Sequence, residues 1–289
     1  MSKMKKMNIS TFIGCDSEYN EADIVLFGSP YDGTTSNRPG ARFGGDAIRR
    51  ESFGIETYSP YLDRDLSEIK VFDGGELELP FGDPVPVLDE IYNYTKQILS
   101  DNKLPLMLGG EHLVTLGAFR AVHEKYPAVC VIHFDAHADL RAEYLGQKLS
   151  HACVIRRCWE LTGDDHIFQF GIRSGDREEF EWGRSHIYTG KFNLNGLDEV
   201  ITRVKGKPVY FTIDLDILDS SVLPATGTPE AGGISFNELI DGIKKVGELS
   251  VVGCDITELS PPYDQTGAST AAACKVVREL LLSFVRQAV

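Results

Sequence analysis

The 289-residue chain is long enough to bury a full hydrophobic core, in one large domain or two small ones. Its 43 acidic residues against 29 basic ones leave a formal charge of -14. That excess argues against a polyanionic partner, whether nucleic acid or an anionic membrane surface, and suits a small cationic one.

No run approaches the ~18 apolar residues of a membrane span, and the basic opening MSKMKKMNIS precedes no apolar core of signal-peptide length. The six cysteines, Cys15, Cys130, Cys153, Cys158, Cys254 and Cys274, form no CxxC pair and several sit inside apolar patterns. A soluble, cytoplasmic protein with reduced thiols is expected, with neither a disulfide nor a Cys-ligated zinc.

In chain order, apolar, β-branched runs predict strands at DIVLFG from Asp23, IKVFDGG from Ile69, LPLMLGG from Leu104 and VCVIHF from Val129. HIFQFG from His166, HIYTG from His186, PVYFTI from Pro208 and VVGCDI from Val251 continue the series to eight. Helical spacing lies between several of them, first at Val87, Ile91, Tyr94 and Ile98, then at Leu113, Leu116, Phe119 and Val122. A third helix, at Leu239, Ile243 and Val246, opens on the capping-box pair Ser235 and Glu238, and Ala271 to Arg286 reads as a closing helix. Strands alternating with helices predict a mainly parallel sheet covered on both faces. No linker or repeat divides the chain, so residues 1–289 are read as one domain. The polar stretches from Ser29 to Gly45, from Ala138 to His151 and from Asp216 to Gly233 are long for connections, which marks them as functional loops.

Ligands of a parallel sheet bind beyond the carboxyl ends of its strands. There the sequence is uniform. LPLML is followed by GGEH, ending in His112; VCVIHF by DAHAD, Asp135 to Asp139; PVYFTI by DLD, Asp214 to Asp216; and VVGCDI by TE, ending in Glu258. In an extended segment alternate side chains share a side, so Asp135, His137 and Asp139 can face one way, as can Asp214 and Asp216. With His112 they bring four carboxylates and two imidazoles to one locus if the strands are neighbours. That much negative charge cannot share a buried site without strongly raised pKa values, and two divalent cations would neutralise it. Oxygen-rich ligands with some imidazole suit Mn²⁺, with Zn²⁺, Fe²⁺ and Co²⁺ also able to bind. His133 shares the parity of Asp135 but lies deeper in its strand, and is expected to be a satisfied histidine behind the site.

These motifs resemble those of the ureohydrolases, the arginase, agmatinase and formiminoglutamase family. The resemblance runs through SPYDGTTSNRPGARFGGDAIR, GGEH, DAHADLR, LSHACVIR, TIDLDILDSSVLPATGTPEAGG and DITELSPPYD, an ordered set that covers nearly the whole chain. It implies a three-layer α/β/α domain with an eight-stranded, mainly parallel sheet and two Mn²⁺ per chain. One metal would take His112, Asp135, Asp139 and Asp214; the other Asp135, His137, Asp214 and Asp216. A water bridging the pair, its pKa lowered, would supply hydroxide to attack a guanidinium carbon. The resemblance assigns Glu258 to hold the guanidinium, Asp139 to orient the nucleophile and His151 to shuttle a proton to the leaving amine, a task suited to a group titrating near neutrality. It also implies a homo-oligomer, a trimer or hexamer.

Four residues depart from common family patterns: Arg141 where arginases usually carry asparagine, Ala152 after the shuttle histidine, and the Ser220-Ser221 pair where a proline commonly follows the aspartate. Arg141 is expected at the substrate. GGEH and GTPEAGG lean towards hydrolysis of agmatine to putrescine and urea. The alternative is another guanidino or formimino substrate: guanidinobutyrate, arginine or formiminoglutamate. A metal-stabilised scaffold without turnover is the reading from a different class.

Overall fold

The computed structural model describes residues 10–284; the first nine residues of the basic opening and Arg286 lie outside them. In chain order the elements begin with β1 (Ile24–Ser29), α1 (Gly44–Glu51), β2 (Tyr58–Ser59), β3 (Arg64–Asp65), β4 (Val71–Glu76) and α2 (Pro84–Ser100). Then come β5 (Leu104–Gly109), α3 (Val114–Lys125), β6 (Cys130–Phe134), α4 (Val154–Thr162), β7 (Ile167–Ile172) and α5 (Arg177–His186). The chain continues through β8 (Tyr188–Lys191), α6 (Leu197–Val204), β9 (Pro208–Asp214), α7 (Phe236–Val246), β10 (Ser250–Thr257) and α8 (Ala268–Ser283).

Eight strands form one sheet in the order β4-β1-β5-β10-β9-β6-β7-β8, and every pairing in it is parallel. They are the eight apolar runs of the sequence. β2 and β3 form a separate antiparallel ribbon. Strands buried on both faces read as continuous apolar stretches, and β1, β6 and β7 are buried along their whole length.

Alternate side chains of these strands feed two cores. Leu26, Ile132, Phe211 and Ile213 join the cluster that includes Ile240 and Leu281, from α7 and α8. Val25, Phe27, Val131 and Tyr210 join the one that includes Ile91 and Phe119, from α2 and α3. One helical layer runs α2, α3, α4 and the other α1, α8, α7, α6, each helix packed on the next, so the architecture has three layers. Burying a Phe, Leu or Ile side chain contributes about 1.5–3 kcal/mol, which makes these two interfaces the main source of stability.

Local signals set the helix ends. Asp83 accepts from Val85 N ahead of Pro84 at the first turn of α2, and Ser235 and Glu238 close the predicted capping box on α7. The closing helix starts at Ala268, three residues before its predicted start, after Gly267 in a left-handed conformation (φ 76°). Helices α1, α4, α5 and α6 were not expected from apolar spacing. They are short, and α5, REEFEWGRSH, buries only Glu179 and Gly183, so it carries little apolar periodicity to read.

Candidate metal centre and active site

Strands β5, β10, β9 and β6 are consecutive in the sheet, so their carboxyl ends bring GGEH, TE, DLD and DAHAD together. After β5 the backbone passes against the loop that follows β1. A Cβ on Gly110 would lie 1.8 Å from Tyr31 O, so only glycine permits that approach, and Glu111 N–H donates to Tyr31 O at 2.7 Å. Glu258 is pinned beside the same turn, with its N–H donating to Gly110 O (2.9 Å) and its Oε1 accepting from His112 N–H (2.7 Å).

The His112 ring stands between a protein partner and a cluster of carboxylates. Thr212 Oγ1 donates to Asp255 Oδ1 (2.5 Å), so at 2.9 Å from His112 Nε2 it can only accept, which puts the ring's proton on Nε2. Nδ1 then points away, 3.0 Å from Asp135 Oδ2, 3.0 Å from Asp139 Oδ2 and 3.7 Å from Asp214 Oδ2. It is buried and makes no hydrogen bond.

The expected extended stripe is not what aligns the carboxylates. β6 ends at Phe134, Asp139 adopts a left-handed conformation (φ 54°), and Asp216 lies on a 3-10 turn, Leu215–Ile217, after β9. Each segment instead folds around its own first carboxylate. His137 N–H donates to Asp135 Oδ1 (2.5 Å) and Asp216 N–H to Asp214 Oδ1 (2.8 Å), turns of the kind aspartate side chains nucleate. These turns aim His137 Nδ1 at Asp216 Oδ2 (2.9 Å) and set it 3.6 Å from Asp135 Oδ1, while Asp216 Oδ2 is buried without a hydrogen-bond partner.

Two groups of donor atoms result, each within 4.8 Å of one another: His112, His133, Asp135 and Asp139, and Asp135, His137 and Asp216. Asp135 belongs to both. Asp214 belongs to neither, although it faces His112. His133 is held as a satisfied histidine: Gln169 donates to its Nδ1 (3.0 Å), so its Nε2–H points at Asp135 Oδ2 (2.7 Å).

The cluster cannot carry its own charge. Burial, then the neighbouring Asp135, pushes Asp139 up to about 7. Asp214 is raised well above the carboxylate range by burial and then by Asp216 and Asp135, and Glu258 by burial and then by Glu111. For Asp135 burial also favours the neutral acid, but the nearby His133, His112 and His137 outweigh it and hold the group well below its ordinary value. Burial likewise opposes charge on His112, yet Asp135 and Asp139 raise its pKa, so positive charge is favoured at Nδ1. Among the described residues, Asp135, Asp139 and Asp214 pair with imidazoles and with no lysine or arginine. A buried donor atom without a partner in each half of a self-repelling carboxylate cluster is what divalent cations would complete. The site is a His/Asp metal site in its chemistry.

A polar row one layer below this site escaped the sequence reading. Thr189, Gln169, His133, Thr212 and Asp255 are register partners across β8, β7, β6, β9 and β10. Thr189 Oγ1 donates to Gln169 Oε1 (3.3 Å), Gln169 to His133, and His133 to Asp135; Tyr210 OH donates to Asp255, which accepts from Thr212 beneath His112. Gln169 and His133 are each the one polar residue of an apolar strand, and only the strand order shows that the five line up. Partners of this kind fix the tautomer and direction of metal-binding imidazoles.

A cleft of about 240 Å³ opens over the cluster, with Ser36, Asp139, Arg141, Tyr144, His151, Asp176, Glu179, Asp214 and Glu258 in its wall. His151 Nε2 lies 3.4 Å from Ser36 Oγ and its Nδ1 lies 3.5 Å from Thr34 Oγ1. Burial, with His137 and His112 nearby, drives its pKa down to about 4 rather than the expected near-neutral value, so the ring is uncharged at pH 7. Arg141 also reaches the wall, but its charge is already engaged. Its Nη1 pairs with Asp176 (3.2 Å), its Nε with Glu179 (3.5 Å), and its guanidinium lies 4.7 Å from the Tyr144 ring centre. Asp176 and Glu179 form the capping box of α5, and Glu179 also accepts from Leu140 N–H (2.9 Å), which ties the cleft wall to that helix.

Among the described residues the cysteines are all buried and free, and no helix is long and apolar enough to cross a membrane. Residues 22–283 match the sequence profile of the Arginase family. The chain is 47% identical to the agmatinase of Bacillus subtilis (strain 168), over 95% of this chain and 96% of that one. Its structure is similar to that of the agmatine ureohydrolase of Thermoplasma volcanium, with a TM-score of 0.89 and 35% identity over 96% of this chain and 95% of that one. Similarity extends to the arginase of Medicago truncatula, with a TM-score of 0.80 and 25% identity over 92% of this chain and 88% of that one. A parallel eight-stranded sheet, a carboxylate and imidazole cluster at its centre and these likenesses coincide, and the chain belongs to the arginase family of metal-dependent ureohydrolases.

Proposed function

We propose that this protein is an agmatinase, hydrolysing agmatine to putrescine and urea. The observation that carries the reading is the pair of buried donor atoms without hydrogen-bond partners, His112 Nδ1 facing carboxylates and Asp216 Oδ2 facing His137 Nδ1, beneath an acidic cleft lined by both histidines. The 47% identity to an agmatinase over 95% of the chain supports the choice of substrate. Two Mn²⁺, one near His112, Asp135, Asp139 and Asp214 and one near Asp135, His137, Asp214 and Asp216, would lower the pKa of a bound water and supply the nucleophile at neutral pH.

The chain's own groups do the rest. A guanidinium carbon is a poor electrophile because three nitrogens share its charge, so it must be held and turned towards attack. Glu258 Oε1 is anchored by His112 N–H, and the carboxylate's remaining lone pairs can take the planar fork of guanidinium N–H donors. Asp139, at the edge of the cluster, would orient the attacking water. The neutral imidazole of His151 would accept a proton and pass it to the leaving amine.

Electrostatics favour a substrate with a second cation. Asp176 and Glu179 already engage Arg141, which leaves that arginine little attraction for a substrate carboxylate, while the wall carries more acid than base. Agmatine, cationic at both ends, suits such a cleft. We further propose that residues 1–289 form one domain and that the protein works in the cytoplasm as a homo-oligomer; no nucleic-acid or membrane partner is invoked. Supplying agmatine, guanidinobutyrate, arginine and formiminoglutamate to the Mn-loaded protein tests the substrate. Urea and putrescine in equal amounts from agmatine are expected. Urea or formamide release only from a carboxylate-bearing substrate would overturn the agmatine reading.

A further inference from the structure

Glu111, the acid of GGEH, belongs to neither donor group and is fully buried. It works on another segment, the TTS of the first long loop. Its Oε1 accepts from Thr34 Oγ1–H at 2.5 Å, and its Oε2 accepts from Thr34 N–H at 2.9 Å and Thr35 Oγ1–H at 3.0 Å. The rest of that loop is tied as well. Asp32 accepts from Gly40 N–H (2.7 Å) and pairs with Arg42 (2.9 Å), and Asn37 Nδ2–H donates to Gly227 O at 3.0 Å. The loop is therefore preformed and placed.

It is placed against His151. Thr34 Oγ1 accepts from His151 N–H at 3.2 Å and lies 3.5 Å from His151 Nδ1, while Ser36 Oγ lies 3.4 Å from Nε2. A threonine hydroxyl has one proton and two lone pairs. The proton of Thr34 is committed to Glu111, so both lone pairs face His151, and the ring nitrogen beside them must carry its proton to interact favourably. Nδ1 is then protonated, and Nε2, beside the cleft residue Ser36, presents a lone pair.

We propose that Glu111 and Thr34 are positioning residues for His151, a carboxylate–hydroxyl–imidazole chain that holds the ring in its Nδ1–H form with Nε2 turned to the reacting groups. The inference rests on the proton-transfer role proposed for His151. In that role Nε2 takes a proton as the water's oxygen bonds to the guanidinium carbon, and gives it to the leaving nitrogen as the C–N bond breaks. Nδ1 keeps its own proton throughout. The ring thus needs one tautomer before and after transfer, and a hydroxyl already donating elsewhere favours that one.

The test compares Thr34→Val, Thr34→Ser, His151→Asn and the double variant Thr34→Val/His151→Asn in Mn-loaded protein, with bound metal per chain measured for each. Thr34→Val keeps the side chain's shape and is expected to lower kcat about 10- to 100-fold with KM within about 2-fold and metal content unchanged. Thr34→Ser restores the hydroxyl and should return kcat to within about 3-fold of the parent. Because Thr34 acts through His151, the double variant should be no slower than His151→Asn alone. Unchanged kcat in Thr34→Val beside a slow His151→Asn would overturn the proposal alone, as would equal losses in the Val and Ser variants or additive losses in the double variant. Full turnover in His151→Asn would remove the underlying role of His151 and the proposal with it.

Discussion

The molecule buries charge in several places, and the difference between two of them separates structure from function. At the β4 edge, Arg49, Asp73 and Glu76 form a cluster that contains its own cation. Arg49 Nε pairs with Asp73 (2.9 Å), Nη1 meets Glu76, Nη2 donates to Gly75 O (3.0 Å), and Asp73 also accepts from Phe12 N–H (2.8 Å) and Gly75 N–H (3.0 Å). Glu76 Oε2 is left without a partner, but a full positive charge lies against its other oxygen. At the centre of the sheet, carboxylates converge on imidazoles with no such cation, and each of the two donor groups holds a buried atom without a hydrogen-bond partner. The first cluster is complete as folded. The second is complete only with ions from outside.

Deleting a member should therefore have opposite effects in the two regions. Asp214→Asn should lower agmatine turnover by on the order of 10³-fold or more and reduce bound metal per chain. Yet it should leave the metal-free protein at least as stable as the parent, because burial and its acidic neighbours already resist charge on Asp214. Thermal melting of the metal-free variant checks this; a large loss of stability would mean that the cluster is structural. Arg49→Ala should do the reverse, costing about 3–5 kcal/mol in denaturant unfolding with or without metal, since it strands the buried Asp73 and the half-buried Glu76. A metal-dependent loss would erase the distinction.

A smaller effect sharpens the comparison within the central region. Thr212→Val removes the acceptor beneath His112 Nε2 and should weaken binding of the metal at His112 about 10- to 100-fold by titration calorimetry, while the metal near His137 and Asp216 is affected less. Equal weakening at both positions would show that the polar row acts as one block.

How far the sequence alone discloses these features follows from what each depends on. The strands were legible because a strand covered on both faces must be apolar along its length, and the polar residues at their carboxyl ends stood out against that background. Alternation in extended chain was an inadequate account of how those residues meet. Asp139 reaches the cluster in a left-handed conformation and Asp216 on a 3-10 turn, each following a carboxylate that accepts from the backbone N–H two residues on. The polar row could not be read because His133, Thr212 and Asp255 are far apart in sequence. They become neighbours only once β9 and β10 are inserted between β5 and β6. The lowering of the His151 pKa could not be read for a related reason: burial is a property of the packed loop, not of the residue type.

The central claim is that the cluster around Asp135 holds two divalent cations. Anomalous diffraction from crystals grown with Mn²⁺ tests it most directly. Two peaks are expected, one within coordinating distance of His112 Nδ1 and Asp139, the other of His137 Nδ1 and Asp216 Oδ2, with Asp135 contacting both. A single peak, or none at those atoms in protein that turns over substrate, would contradict it.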